Sequence, residues 1–490
     1  MALTLDSLKS HPSFGLDSKR SWVTAAFLSI SLTMVMTAQH SVGVLFYGIV
    51  QTYDVSRQEA PWPLVLTNSL AFLAGPVMGY LCGRCSCQVV LLVSSLTAGV
   101  SACACFFAES IFALNILFGI VHGTAVCGVH VAVTVIVSQH FEKRRATACS
   151  VIYTAMCINS VYLPPLAELL RVTYGVHGTF LLLGGMALNA FPPVLAVQSP
   201  EWTKSKKRSL SETRHSLIKD NGNIPNNLLL PAAETRNGCF PNDAEMPNGK
   251  AHQTKFAELP LRQNDDFGLK TTPLLSSKKK SVGKDDAAKP SFTLIVKQFA
   301  SVPFAVSAIS FAVIALGMST FILLSVDVAV DRGIPPSSGV FLLNAFAVTD
   351  IVARPLSGLI IDSGFLSLES VMLIGYILQF LALELFVWLE HFPLMLASSA
   401  LFGVSNGLRV TLLAPFLVKD FGIERMPLML GGVSFWTGVV LLTRPFLVGY
   451  WRDHLGSYDG LLHFVAIVNA VVAVIWMAKL YVLRRQKRLI

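Results

Sequence analysis

The chain contains 490 residues, of which 53% are hydrophobic and only 14% are charged, and its formal net charge is +9. Residues 198–290 hold 27 of the 67 charged residues, so only about one residue in ten is charged in the remainder. Soluble proteins carry roughly 25% charged residues. The composition therefore excludes a soluble fold and indicates that most of the chain lies in lipid.

The N-terminal segment and the cysteines exclude two further classes of protein. The first 20 residues are polar and the first apolar run is too long for a signal peptide. The nine cysteines are odd in number and irregularly spaced, which argues against a disulfide framework. Cys82, Cys85 and Cys87 form a cluster without a second ligand pair, so we interpret them as small apolar residues at a helix end and expect no metal and no cofactor.

Twelve apolar runs are long enough to span about 30 Å of hydrocarbon, which takes about 20 residues each. The predicted spans are 22–50, 61–82, 88–108, 112–138, 146–168, 176–197, 293–325, 336–361, 369–389, 393–418, 427–450 and 459–482. Backbone groups in lipid must bond internally, so each span should be a helix. The predicted domains are a tail at 1–21, a six-helix bundle at 22–197, a loop at 198–290, a second six-helix bundle at 291–482 and a basic tail at 483–490.

The distribution of Lys and Arg predicts the orientation. An even number of spans places both termini on one side, which receives 31 of the 38 basic residues, against 4 on the other side and 3 inside spans. If the basic residues of the long loop are left out, 15 Lys and Arg residues lie on that side and 4 on the other. The positive-inside rule therefore predicts that both termini and the loop are cytoplasmic.

The polar segment at 198–290 separates the two halves. It is rich in Asn, Lys and Ser and poor in aromatic residues, so we expect it to be disordered. The basic runs 204–208 and 278–280 are interpreted as topology determinants, with contact to anionic lipid as the alternative. Nucleic-acid binding and hydrolytic chemistry find no support, since no phosphate-binding loop or ATP motif occurs. We therefore expect no enzyme, and any uphill transport should be secondary.

The two halves also repeat a motif. Gly75-Pro76-Val-Met-Gly79 continues to Gly83 in the second span, and Arg354-Pro355-Leu-Ser-Gly358 continues to Asp362 in the eighth span, six helices later. Six-helix repeats with a substrate site between them describe the major facilitator architecture.

Five segments then resemble the monocarboxylate transporter family of the major facilitator superfamily, over roughly residues 20–197 and 291–478. They are Asp17–Trp22, Ser41–Phe46, His140–Ala148, Asp350–Arg354 and Tyr450–Asp459. The segment that contains Lys143-Arg144-Arg145 is the strongest match. The resemblance implies a secondary transporter of the plasma membrane that carries a small organic anion, with or without a proton.

The chain departs from the family pattern at three places. His40 stands where proton-coupled lactate transporters carry a Lys, Ser150 begins a segment that replaces a Gly-rich one, and Arg444 stands where the family usually has Gly. The departures leave the substrate, the coupling ion and the need for a single-span accessory protein open.

Asp350 and Arg354 lie four residues apart and should share a helix face. One interpretation is a structural ion pair. The other, which fits the family, is that Arg354 binds a carboxylate through its planar fork while Asp350 holds Arg354 or releases it on protonation.

Four more side chains are candidates for the lining of the pathway. His40 is the group that should titrate near neutral pH, either as a proton carrier or as a packing residue. Arg145 is predicted either to point into the pathway or to act as a positive-inside anchor. Arg409 and Arg444 should make the C-terminal half of the pathway positive, as anion transport requires. The alternative is that either arginine snorkels or pairs locally, which is favoured more for Arg444 because it lies nearer its helix end.

The sequence therefore predicts transport of a monocarboxylate such as lactate or pyruvate. Two alternatives stay open, an uncoupled facilitator of aromatic amino acids or other carboxylates, and a receptor or scaffold that kept the fold without turnover.

Overall fold

The computed structural model describes residues 15–53, 61–197 and 298–488, together with the single residues 9, 11, 59 and 200. These residues form helices and turns, and no strand occurs among them. The predicted loop at 198–290, with its basic runs, lies outside the described residues except for Pro200.

The described helices fall into two sets, one before and one after the polar segment. The N-terminal set comprises α1 (Lys19–Val35), α2 (Thr37–His40), α3 (Val42–Tyr53), α4 (Trp62–Leu73), α5 (Gly75–Arg84), α6 (Cys87–Ala104), α7 (Ile111–Leu114), which continues as a π-helical stretch (Asn115–His122), α8 (Gly123–His140), α9 (Arg145–Cys157), α10 (Asn159–Leu188) and α11 (Phe191–Ala196). The C-terminal set comprises α12 (Val302–Asp331), α13 (Pro336–Asp362), α14 (Leu368–Trp388), α15 (Phe392–Val410), α16 (Leu413–Phe421), α17 (Met426–Leu442), α18 (Arg444–Leu455) and α19 (Asp459–Arg488).

Nine helical segments of the described residues are long and apolar enough to cross a membrane, and α4 with α5 makes a tenth if this bent pair is one span. The predicted first span is divided among α1, α2 and α3. The predicted fifth and sixth spans form one segment, Arg145–Ala196, which Gly175 interrupts with a φ of 71°. The all-helical membrane architecture is confirmed, whereas the number twelve and the side of the termini stay predictions.

Local chemistry explains the breaks in the first two spans. Thr37 Oγ1 donates to the Met34 carbonyl at 3.0 Å, and Ser41 Oγ donates to the Thr37 carbonyl at 3.0 Å. Such hydroxyl groups compete with backbone N–H groups for carbonyls and bend helices. The bend of 44° between α4 and α5 precedes Pro76, which has no N–H to continue the ladder.

The two halves touch through glycines at equivalent places in the repeated motif. A Cβ on Gly79 would lie 2.4 Å from the Pro427 carbonyl oxygen, and a Cβ on Gly358 would lie 2.5 Å from Thr147 Cα. Only glycine permits backbones to approach this closely. The contacts join α5 to α17 and α9 to α13, so each half packs its repeated motif against the start of a helix in the other half.

Two carboxylates bind the start of α9. Asp17 accepts hydrogen bonds from the backbone N–H groups of Lys143 and Arg144, each at 2.9 Å. Asp362, at the end of α13, accepts from Thr147 N at 2.7 Å and from Ala146 N at 3.4 Å. Carboxylates are stabilising at a helix N-terminus because its N–H groups lack partners within the helix. Asp362 therefore adds a polar contact between the halves beside Gly358.

Candidate functional site

A buried ion pair on α13 forms the centre of the candidate site. Arg354 Nε donates to Asp350 Oδ2 at 2.9 Å, and Arg354 Nη2 lies 2.7 Å from the same oxygen. The Arg354 side chain is 2% exposed and the Asp350 side chain 5%. The spacing of four residues predicted this contact, and the structure forms it.

Asn406 of α15 completes the surroundings of Asp350. Its Nδ2 donates to Asp350 Oδ1 at 2.8 Å, so each carboxylate oxygen has a partner. The helices lie close because a Cβ on Gly403 would lie 2.3 Å from the Phe346 carbonyl oxygen, and one on Gly407 would lie 2.6 Å from the Asp350 carbonyl oxygen. Asn406 was not predicted from the sequence, although small residues four apart are a signal of close helix packing.

One edge of the Arg354 guanidinium remains open. Asp350 occupies Nε and one side of Nη2, whereas Nη1 has no hydrogen-bond partner among the described residues and is not one of their enclosed polar atoms. A guanidinium has five N–H groups in one plane. Nη1 and the outer hydrogen of Nη2 therefore form a planar fork that can bind a carboxylate while Asp350 stays in place.

Side chains of the N-terminal half surround this ion pair. His40 of α2 and Tyr153 and Cys157 of α9 all lie close enough to Arg354 for electrostatic interaction. His40 Nδ1 also forms a hydrogen bond with Ser160 Oγ at 2.9 Å. Three of the five predicted site residues, His40, Asp350 and Arg354, are thus brought together from the two halves.

A second polar group in the N-terminal half adjoins His40. His130 of α8 lies within electrostatic range of His40, and its ring stacks on Tyr153 with the ring centroids 5.9 Å apart. Tyr153 Oη and Thr134 Oγ1 lie 2.6 Å apart in a hydrogen bond. None of these three residues was predicted from the sequence, because a single histidine in an apolar helix gives no sign of what it faces.

Arg409 lies in a different environment from Arg354. It is fully buried, donates from Nε to the Ser405 carbonyl at 2.8 Å, and forms a hydrogen bond with Gln379 Oε1. Its guanidinium lies over the Tyr376 ring, 4.4 Å from the centroid. These partners belong to α14 and α15, and Nη1 is enclosed without a hydrogen bond. The structure therefore places Arg409 inside the C-terminal half, and its predicted role in substrate binding stays a prediction.

Arg145 and Arg444 lie at helix starts. Arg145 begins α9, is half-buried, and donates from Nε to the Ser138 carbonyl at 3.3 Å. Tyr153 follows eight residues later, about 12 Å along the helix at 1.5 Å per residue. Arg145 thus lies near the contact between the halves and away from the Arg354 site. Arg444 begins α18, and its Nη1 donates to the Ser319 carbonyl at 3.5 Å.

Helices long enough to span a membrane and a charged site shared by two helical halves describe a multi-pass membrane protein. The solved structure of the major facilitator proton:xylose symporter XylE with 6-bromo-6-deoxy-D-glucose matches 93% of this chain and 94% of that chain, with a TM-score of 0.64 and 11% identity. The fold is therefore the major facilitator fold.

Sequence comparison narrows this class. The family model of the Major Facilitator Superfamily matches residues 25–234. Monocarboxylate transporter 12 of Mus musculus is 24% identical, over 99% of this chain and 90% of its own length. Monocarboxylate transporter 7 of Homo sapiens is 23% identical over 88% and 80%, and monocarboxylate transporter 14 of Homo sapiens is 22% identical over 95% and 92%. The resemblance is confirmed: the chain is similar to monocarboxylate transporters over most of its length, and these relatives are transporters rather than enzymes.

Proposed function

We propose that the protein carries a small monocarboxylate across the plasma membrane by alternating access, and that Arg354 binds the substrate carboxylate. The observation that carries the proposal is the open edge of Arg354, an otherwise enclosed guanidinium at the meeting of the two halves. Arginine binds carboxylates through two parallel N–H groups, which matches this edge. The names of the relatives favour the same class of substrate.

Asp350 lowers the free-energy cost of placing Arg354 within the membrane. A single charge at the centre of a span costs about 2.5–3.5 kcal/mol on insertion scales. The ion pair offsets part of that cost while no substrate is bound. Protonation of Asp350 would release Arg354 and leave it fully positive, which gives a route by which a proton and an anion favour each other's binding.

Contacts between the halves support alternating access. Gly79 and Gly358 bring the halves together at the ends of α5 and α13, and Asp362 adds hydrogen bonds to α9 there. On this proposal these contacts hold one end of the path closed, which is the cytoplasmic end in the predicted orientation. They must break for substrate to leave on that side.

Arg145 and Arg409 belong to this proposal as secondary cations. Arg145 lies beside the closed end and would meet the anion on its way out. Arg409 has an enclosed nitrogen without a partner, and it would act through the positive potential of the C-terminal half. Arg409→Lys should raise KM if Arg409 acts on the substrate, and should lower the amount of folded protein without a change in KM if it acts only in packing.

An uptake assay in cells without endogenous carboxylate transport tests the proposal. Labelled lactate, pyruvate, a ketone body and an aromatic amino acid form the panel, with surface biotinylation to measure delivery. We expect saturable uptake of at least one of these acids. Arg452→Gln is the control, because Arg452 pairs with Asp331 and both side chains are exposed.

The principal alternative is a receptor or scaffold that binds a carboxylate without moving it. Uptake and equilibrium binding on the same surface-exposed protein distinguish the two functions. Binding without flux would favour the receptor, and absence of uptake of every acid in the panel would contradict the proposed transport.

A further inference from the structure

We propose that Asn406 is a positioning residue that sets how tightly Arg354 binds the substrate carboxylate. On this proposal Asn406 holds one oxygen of Asp350, so that Asp350 contacts Arg354 through its other oxygen alone. Asn406 itself does not touch the substrate and acts through Asp350. The inference rests on the proposed function, because it assumes that the substrate carboxylate binds Arg354.

The contact between Asp350 and Arg354 differs from the usual pairing of a carboxylate with an arginine. Such pairs frequently form two parallel hydrogen bonds, in which each carboxylate oxygen accepts from a different nitrogen. Here Asp350 Oδ2 alone accepts from Arg354 Nε at 2.9 Å and also lies 2.7 Å from Nη2. Asp350 Oδ1 instead accepts from Asn406 Nδ2 at 2.8 Å. Asn406 therefore occupies the oxygen that a two-oxygen contact with Arg354 would need.

The surroundings of Asn406 fix the orientation of its amide group. Asn406 is fully buried, and its Nδ2 contacts both Asp350 Oδ1 and, at 3.6 Å, Met318 Sδ. Its Oδ1 is enclosed and has no hydrogen-bond partner in the part of the chain that the structure describes. The opposite orientation would place Oδ1 against the carboxylate, and neither group could then donate. Because a buried carbonyl without a partner is costly, the contact with Asp350 is the interaction that favours an asparagine at this position.

The helices that carry Asn406 and Asp350 are held together on both sides of this contact. A Cβ on Gly407 would lie 2.6 Å from the Asp350 carbonyl oxygen, and Thr349 Oγ1 lies 2.9 Å from the Ala400 carbonyl oxygen. Both helices, α13 and α15, belong to the C-terminal half. A movement of the two halves as rigid bodies therefore leaves the contact intact, and Asn406 restrains Asp350 in each state of the transport cycle.

The restraint matters because Asp350 and the substrate compete for the charge of Arg354. Without the amide, Asp350 Oδ1 could turn to Arg354 Nη2, and the ion pair would gain a second parallel hydrogen bond. A guanidinium that is paired more tightly attracts the substrate carboxylate less, since more of its charge is neutralised. Hydrogen bonds between charged groups are strong, so the gain of one within the ion pair corresponds to about tenfold weaker binding of the substrate.

A double-mutant cycle between Asn406 and Asp350 tests the inference. The readouts are KM for uptake and the equilibrium Kd, measured with the labelled acid of the uptake panel that has the lowest KM for the wild-type protein. Asn406→Leu keeps the approximate size of the side chain and removes the donor, and we expect it to raise Kd and KM about tenfold. In the Asp350→Asn background the same substitution should change Kd less than about twofold, because no carboxylate remains to turn toward Arg354.

Asn469→Leu is the matched control. Asn469 of α19 is also fully buried, and its Oδ1 is also enclosed without a hydrogen-bond partner among the described residues. Its Nδ2 donates to the Val465 carbonyl at 2.8 Å rather than to a carboxylate. This substitution should therefore change Kd less than about twofold. Asn406→Ala, assayed for binding in total cell membranes, replaces Asn406→Leu if that variant does not reach the surface.

The outcomes separate the two proposals. An unchanged Kd in the Asn406→Leu variant would overturn the role of Asn406 alone. An equal rise of Kd in both backgrounds, or a rise as large for Asn469→Leu, would also overturn it, because either result indicates a general packing effect. Loss of binding in the Asp350→Asn variant would show that this carboxylate supports anion binding instead of competing with it, which contradicts the inference. If surface-exposed wild-type protein carries no acid of the panel, the proposed function and this inference both fail.

Discussion

Arg354 and Arg409 are both arginines buried in the C-terminal half, but their surroundings give them different properties. Arg354 has a carboxylate partner, and its Nη1 has no hydrogen-bond partner among the described residues. Arg409 is held by an amide, a backbone carbonyl and a tyrosine ring, and its unpaired nitrogen is enclosed. On the proposed function a substrate anion binds the first guanidinium directly, whereas the second acts on the anion only through the electrostatic potential.

The shape of the Arg354 side chain should therefore matter as much as its charge. Arg354→Lys should lower kcat/KM more than tenfold while the protein still reaches the surface, because one ammonium cannot hold Asp350 and present a planar fork to the substrate. Uptake with surface biotinylation is the measurement.

An exchange of the pair separates the structural role from the binding role. If Asp350→Arg combined with Arg354→Asp recovers transport, or if Arg354→Lys retains it, then only the ion pair matters and the carboxylate binds elsewhere.

His40 should make uptake dependent on pH. A protonated imidazole presents a charge to the anion and a bound anion favours the protonated imidazole, so uptake should rise as external pH falls from about 7.5 to 6. The groups that face His40 are Ser160, His130 and Arg354. His40→Ala should flatten the profile, and His40→Lys should restore uptake and extend it to higher pH.

Uptake by the wild-type protein that is flat from pH 7.5 to 6 would contradict this coupling. His40 would then be a packing residue that pairs with Ser160, and the protein would be an uncoupled facilitator.

The candidate site could be predicted from the sequence only where its contacts are local. Asp350 and Arg354 meet because they are one helical turn apart, and that spacing is visible in the sequence. Asn406 meets Asp350 across 56 residues, and Ser160 meets His40 across 120 residues. Such contacts depend on how whole helices pack, which an apolar pattern does not specify.

At the scale of the helices, the start of α9 is bound by carboxylates from both halves. Asp17 binds it from the N-terminal half and Asp362 from the C-terminal half. The sequence predicted both Asp17 and His140–Ala148 as family segments, and the structure shows that they bind one another. Trp22 and Phe141 add an edge-on ring contact at 4.9 Å. The Asp17 contact lies within one half and the Asp362 contact joins the two, so only the latter should resist opening.

Asp362→Asn should loosen the contact between the halves. The amide keeps the shape but loses the charge at the helix N-terminus, which is typically worth about 0.3–1 kcal/mol. Cys149 of α9 is fully buried and provides a reporter. In a variant whose other cysteines are replaced by alanine, we expect maleimide applied from the predicted cytoplasmic side to label Cys149 up to about fivefold faster.

Asp420→Asn is the matched control, because Asp420 pairs with Lys479 within the C-terminal half at 3.3 Å. Equal labelling of Cys149 in the Asp362→Asn and wild-type proteins would show that Asp362 does not hold the halves together.

At the scale of the whole molecule, hydropathy predicted the helical architecture but not its interruptions. Length and apolarity define where a span must lie, yet the breaks at Thr37 and Ser41 come from hydroxyl groups that bond backward to carbonyls. The short motif shared by the two halves was more informative. Gly79 and Gly358 occupy equivalent positions in the sequence, and each contacts the start of a helix in the opposite half.

The motif shared by the two halves differs at its last position, which is Gly83 in the N-terminal half and Asp362 in the C-terminal half. Only the C-terminal motif therefore carries a carboxylate to the opposing helix start. A Cβ on Gly83 would meet no atom within 4 Å, so a side chain fits there. Gly83→Asp should place a second carboxylate near the start of α17 and stabilise the closed end by a further ~0.3–1 kcal/mol.

If opening of this end limits turnover, Gly83→Asp should lower kcat up to about fivefold and slow the labelling of Cys149. Gly83→Asn, which adds the side chain without the charge, is the control. The combination of Gly83→Asp with Asp362→Asn should return kcat and the labelling rate of Cys149 toward the wild-type values. In this variant the carboxylate at position 83 contacts α17 in place of the lost carboxylate contact with α9. Faster labelling in the Gly83→Asp variant would show that the two motifs are equivalent in packing but not in electrostatics.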